Sequence, residues 1–141
     1  MNTTQRNVRS IGSAQSGFTL IEIIAVLVII GMLAAVAVPK YLAMQQAAAD
    51  NVIAGAMGAG MSQASIEYAN QLMLGIAPGP ALAAAAAAAT AKSPLGDFNF
   101  GFAATGTGIT VTVTGGATAT GTSVWNNKSG AAVLSKDVDF Q

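Results

Sequence analysis

The sequence predicts an α+β fold: a long N-terminal α-helix, transmembrane in its first half and amphipathic in its second, packed on a small antiparallel β-sheet. Three observations carry this reading. An apolar run fills residues 18–38 with only Thr19 and Glu22 as polar members. Apolar residues then recur at spacings of three and four from Ile53 to Leu72, which lines one face of a helix. From Phe98 onward apolar and polar residues alternate, the period of a strand with one buried face.

Composition bounds what such a chain can do. At 141 residues it is one domain plus an appendage. Only 9% of its residues are charged, against roughly 25% in an ordinary soluble domain. Six basic and six acidic residues cancel, so no broad attraction to nucleic acid is expected. There is no cysteine and no histidine. The first absence excludes a disulfide framework and a thiolate metal site. The second removes the commonest general base, triad partner and metal ligand together. The chain reads as a non-enzyme.

Taken in order, residues 1–17 are polar, carry Arg6 and Arg9 and no acid, and look like a leader. Residues 18–38 follow as a helix about 31 Å long at roughly 1.5 Å per residue, which matches a hydrocarbon core of about 30 Å. Arginines before the span place its N-terminus in the cytoplasm by the positive-inside tendency, with Lys40 as a lone opposing charge. Pro39 is expected to bend or interrupt the helix, because it lacks an N–H and crowds the carbonyl four residues back.

Residues 39–74 form the amphipathic second half. Ile53, Met57, Met61, Ala64, Tyr68 and Leu72 make its apolar stripe, with Asp50, Gln63, Glu67 and Asn70 expected on other faces. Gly55, Gly58 and Gly60 each weaken a helix by about 1 kcal/mol relative to alanine, so packing must hold it.

Residues 75–141 form a small head. "IAPGP" is a turn signal, with Pro80 suited to the first position of an alanine-rich helix that ends near Lys92 and Ser93-Pro94. A low-complexity linker is the alternative for "ALAAAAAAATAK". "FNFGF" and "ITVTVT" read as strands, and Gly115-Gly116 offers a two-residue hairpin turn. "TSVW" and "AAVLS" suggest one more pair, for about four strands. So few residues make a poor independent core, so the sheet is expected to pack on the 53–72 stripe.

The stretch "GFTLIEIIAVLVIIGMLAAVAVPKY", Gly17 to Tyr41, resembles the N-terminal signature of type IV pilins and of type II secretion pseudopilins. It has the Gly-Phe junction, an acid fifth after that junction, a mid-run glycine at Gly31 and a proline at Pro39. The resemblance implies a type IV pilin-like fold and the following history. A prepilin peptidase cleaves between Gly17 and Phe18, and the new amino group of Phe18 is methylated. Subunits wait in the bacterial inner membrane as single-pass proteins. An inner-membrane assembly platform then draws them into a helical filament of identical subunits. Gly31 and Pro39 are implied as sites of helix flexibility on assembly. An ordinary membrane glycine and a membrane-exit proline explain them equally well.

The residues support this reading on their own terms. A secretory signal peptide carries its small-residue site after the apolar region, whereas Gly17 stands before it. Ala35-x-Ala37 is a rival site of the ordinary kind, but a signal h-region spans only about 7–15 apolar residues. Glu22 is tolerated near the interface by snorkelling and by the helix macrodipole. It becomes useful once cleavage frees a cation at Phe18, four residues away on the helix. In a filament Glu22 of one subunit then meets the Phe18 amine of a neighbour and sets register.

Three weaker signals remain. Asn127-Lys128-Ser129 fits the N-glycosylation acceptor pattern, and equally a plain turn. Asp137 and Asp139 invite a calcium reading, since resemblance to major pseudopilins implies a C-terminal calcium site. Two carboxylates fall short of the 6–8 oxygens calcium takes, and the fuller C-terminal pattern is missing, so no metal or other cofactor is expected. Phe98, Phe100 and Phe102 fall on one strand face and read as sheet core.

The sequence therefore points to the structural subunit of a type IV pilus, serving adhesion, motility or DNA uptake. The close alternative is a pseudopilin forming a periplasmic piston. An alternative of another class is a membrane-anchored binding module that never assembles.

Overall fold

A computed structural model describes residues 17–128, 130 and 134–140. Most of the leader, with Arg6 and Arg9, lies outside these residues, as do Ser129 and most of the expected "AAVLS" strand. The described elements are α1 (Leu20–Met73), α2 (Pro78–Ala91), β1 (Phe98–Ala104), β2 (Gly108–Gly116), α3 (Ala119–Asn127) and β3 (Ser135–Asp139). This is the α+β arrangement expected, with a three-stranded antiparallel sheet in the order β1-β2-β3. The chain divides into two units, 1–38 and 39–141.

In the first unit, Gly17–Thr19 are non-helical and α1 begins at Leu20. Every residue from 17 to 38 is exposed, including the large side chains of Leu20, Ile24, Leu27 and Leu33. The helix is long and apolar enough to cross a membrane. Pro39 does not interrupt it: the helical assignment runs on to Met73. One proline removes a single hydrogen bond, and a helix with long runs on both sides survives that loss.

The second unit has its own core. Ile53, Met57, Ala64 and Tyr68 of α1 pack in one cluster with the inward residues of β1 and β2 and the alanines of α2. Phe98, Phe100 and Phe102 alternate with half-buried Asn99 and Gly101, and Ile109, Val111 and Val113 are fully buried opposite them. The register pairs Phe102 with Val111 and Phe100 with Val113, and shifts once between Asn99 and Phe100.

Gly60 faces this sheet where nothing larger fits. A Cβ there would stand 2.8 Å from the Phe100 ring and 2.8 Å from a methyl of Val111. Near the end of α1, Tyr68 stacks on Phe140 with ring centroids 4.3 Å apart.

The stripe differs from expectation at two positions. Leu72 is exposed, and Glu67 is buried. With about 100° per residue, Glu67 lies only about 40° around the helix from Ile53, inside the buried arc. Its charge is met by Lys92, whose Nζ lies 2.5 Å from Glu67 Oε1.

α2 forms as a helix, not a linker, with Ala81, Leu82, Ala85 and Ala89 buried. It starts two residues before the expected position. Pro78 opens it after Ala77, and Pro80 falls inside the first turn, where backbone N–H groups have no helical partner in any case. Lys92 is its C-cap.

The second half of the sheet also departs from expectation. The hairpin between β1 and β2 turns at 105–107, closed by a 2.8 Å bond from Thr105 N–H to the Gly108 carbonyl. Gly115 and Gly116 are not the turn. They end β2, paired with Asn99 and Phe98. Gly116 is needed because a Cβ there would strike the backbone nitrogen of Thr122 at 2.1 Å.

"TSVW" is helical, within α3, rather than a strand. Thr118 caps it by accepting from Gly121 N–H at 3.1 Å while donating to Asp97 Oδ1 at 2.7 Å. That cap, with Val124 and Trp125 half-buried against the core, outweighs a weak strand propensity. The third strand is therefore β3, running antiparallel to β2 with Val138 opposite Ile109.

Candidate processing and assembly site

Gly17, Phe18 and Thr19 precede the helix in open backbone, and Phe18 is 83% exposed. A peptide bond in this position is free of helical hydrogen bonding, as a protease substrate must be. No side chain crowds Gly17 within 4 Å.

A reciprocal pairing of Thr19 and Glu22 fixes the helix start. Thr19 and Glu22 stand three apart, the Ser/Thr-x-x-Glu pattern of a capping box. The Thr19 carbonyl accepts from Glu22 N–H at 3.1 Å and from Ile23 N–H at 3.4 Å. In return Glu22 Oε2 accepts from the Thr19 backbone N–H and from Thr19 Oγ1, both at 2.8 Å. The Glu22 N–H closes the box on Thr19 Oγ1 at 3.3 Å.

The carboxylate of Glu22 therefore points back toward the junction, although Phe18 itself is not helical. In this chain the acid is satisfied by Thr19, and because α1 begins at Leu20, Phe18 does not share a helix face with it. The pattern is legible in "TLIE".

Gly31 sits in the exposed stretch of α1 with open space where a side chain would be. Pro39 lies inside the same helix. The two C-terminal acids are engaged by threonines of β2 and of the turn before it: Asp137 Oδ1 accepts from Thr110 Oγ1 at 2.5 Å and Asp139 Oδ1 from Thr107 Oγ1 at 3.0 Å. Asn127 is the last residue of α3, its Nδ2 donating to the Ser123 carbonyl at 3.0 Å. Lys128 lies 4.3 Å over the Trp125 ring, and Ser129, the third member of that triplet, lies outside the described residues.

Residues 12–38 match the family model described as the prokaryotic N-terminal methylation motif. This is the signal motif of type IV pilins and pseudopilins. It embraces the Gly17–Phe18 junction, Thr19, Glu22 and Gly31, and ends just before Pro39. No curated protein and no solved structure matches the chain.

Proposed function

We propose that the chain is a structural subunit of a type IV pilus, cleaved between Gly17 and Phe18, methylated at Phe18 and assembled through its apolar helix. One observation carries the reading: a prokaryotic N-terminal methylation motif leads directly into a helix exposed along its whole apolar length. An apolar surface of that extent needs a bilayer before assembly and other subunits after it.

Cleavage turns the Phe18 amide into an amine on the residue immediately before Thr19 of the capping box. The new cation then competes with Thr19 for the Glu22 carboxylate. Inside a bundle of apolar helices a subunit in the wrong register leaves one of these charges unpaired, at a cost of several kcal/mol. The pair selects register more than it adds stability. Subunits pass from the inner membrane to an extracellular fibre, with prepilin peptidase and a membrane assembly platform as partners.

Mass spectrometry of the subunit from sheared surface fibres tests this. The expected species begins at a methylated Phe18 and comes from long filaments seen by electron microscopy. A mature chain starting at Val38 rejects the reading. A chain correctly processed at Phe18 but confined to the cell envelope assigns it instead to a secretion pseudopilus.

A further inference from the structure

The second unit carries an apolar corner and an apolar groove outside its core. The corner is the end of α1. Met73 and Leu74 are 84% and 74% exposed, more than any other large apolar side chain described in this unit. The backbone closes the helix there. Gly75, at φ +81°, donates its N–H to the Leu72 carbonyl at 2.9 Å, and Ile76 N–H reaches the Gln71 carbonyl at 3.2 Å. The corner is therefore a fixed projection. The last turn of α1 holds no basic residue, so the negative end of the helix dipole meets no cation from its own turn.

The groove lies about four turns earlier on the same helix. Ala54, Met57, Gly58 and Met61 line it, with Lys136 of β3 at its side, around a volume of about 320 Å³. That is near the lower limit of ligand pockets, roughly 300–1,000 Å³, and suits a pair of side chains. Gly58 has open space where a Cβ would be, and the methionines supply unbranched, adaptable walls. Lys136 reaches this place because it pairs with fully buried Val111, and directly opposed residues of a ladder share a face. It is an exposed lysine on the side of the sheet that covers α1, and it makes no ion pair among the described residues.

Corner and groove complement each other in shape and in charge. One projects and ends in a negative helix terminus; the other is concave and flanked by a cation. They cannot meet within one chain, because Gly58 and Met73 stand about 22 Å apart on one helix at roughly 1.5 Å per residue. We propose that the Met73–Leu74 corner of one subunit seats in the Ala54–Gly58 groove of a second copy, whose Lys136 meets the negative end of the entering helix. The contact rests on the filament reading and deepens it. Because the two patches differ, each subunit offers a corner to one neighbour and a groove to another, the head-to-tail arrangement an open filament requires.

The chain has no cysteine, so a pair introduced by Gly58→Cys and Met73→Cys reports this contact alone, with Leu74 left to hold the corner. Thiols bridge when their Cα atoms come within about 4.4–6.8 Å. Mild oxidation of sheared fibres should then give a ladder of dimers, trimers and higher species, and neither single variant should give one. Charge and shape changes probe the contact without cysteine. Met73→Asp and Lys136→Glu should each lower fibre yield about tenfold, as loss of an interface anchor does. Met73→Leu and Lys136→Arg should keep it. Lys136→Glu still places a charge on the edge strand, so its effect reports the sign of that charge. Both positions are exposed, so the unfolding temperature and processing at Phe18 should not change.

Double-variant fibres that give no ladder overturn the contact and leave the pilus reading intact. So does a product that stops at dimers, or a digest peptide joining position 58 to a different protein. Undiminished yield from both Met73→Asp and Lys136→Glu overturns it as well. Absence of fibres from wild-type cells removes both readings together.

Discussion

Two stretches of one helix are written for different solvents. From residues 17 to 48 every position of the chain is exposed, yet nearly all are apolar. From Ala49 to Tyr68 the same helix buries Ala49, Ile53, Met57, Gly60, Ala64 and Tyr68 on one face. Among the described residues none from 17 to 38 is buried, and on the proposed function that surface meets lipid or other subunits. The second has its partners in β1, β2 and α2. Helix period is shared, so what separates the two is whether polar residues break the apolar run into a stripe. Substitutions in the first stretch should change assembly and leave the fold intact; those in the second should do the reverse.

The sharpest test of that division is Glu22→Ala. The variant should still be cleaved at Gly17, because the Gly-Phe junction is unchanged. It should fail to enter filaments, with yields down by orders of magnitude, as the loss of an interaction of several kcal/mol implies. Fibre counts by electron microscopy, beside the mature mass, check it. Abundant filaments of normal geometry would remove Glu22 from any role in register.

Ile53→Ala should show the opposite pattern. Ile53 is fully buried between α1 and the sheet. Its truncation should cost about 2–5 kcal/mol of stability through lost transfer energy and the cavity left behind. Thermal unfolding of the detergent-solubilised chain, followed by near-ultraviolet circular dichroism, reads that loss. Cleavage at Gly17 should be unaffected.

How much of this was legible in the sequence follows from how local each signal is. The apolar run, the 53–72 stripe as far as Tyr68, the alanine helix and the two strands flanking Gly106 depend on short-range period, and each could be read directly. The turn at 105–107 was missed because Gly115-Gly116 is the stronger dipeptide signal. Gly116 serves instead the close approach of α3 to β2, a tertiary need that no local pattern announces. Strand propensity in "TSVW" lost to the Thr118 cap, whose Asp97 partner lies 21 positions away in sequence. At the proposed processing site, the Gly-Phe junction and Glu22 were visible. The role of Thr19 was missed although "TLIE" spells a capping box. Glu67 was placed on the polar face by residue type, where helical angle alone would have buried it.

A finer division runs within the second stretch. Gly55 and Gly60 are five residues apart on α1, and both lose helix propensity relative to alanine. Gly60→Ala gains about 1 kcal/mol of propensity but forces a Cβ into Phe100 and Val111, an overpacking that costs about 1–3 kcal/mol. The net effect should be a destabilised head, visible as a lowered unfolding temperature.

Gly55→Ala meets nothing within 4 Å. It should therefore keep the propensity gain and stabilise the detergent-solubilised chain by about 1 kcal/mol. The same melt measures both variants. Opposite signs would show that Gly60 is held by the sheet and Gly55 by no contact inside the chain. A destabilised Gly55→Ala monomer would instead mean that the buried face of α1 is wider than the arc from Glu67 to Tyr68. If the monomer is stabilised but filament yield falls, the open side of Gly55 faces a neighbouring subunit, and the division between the two stretches extends to this position.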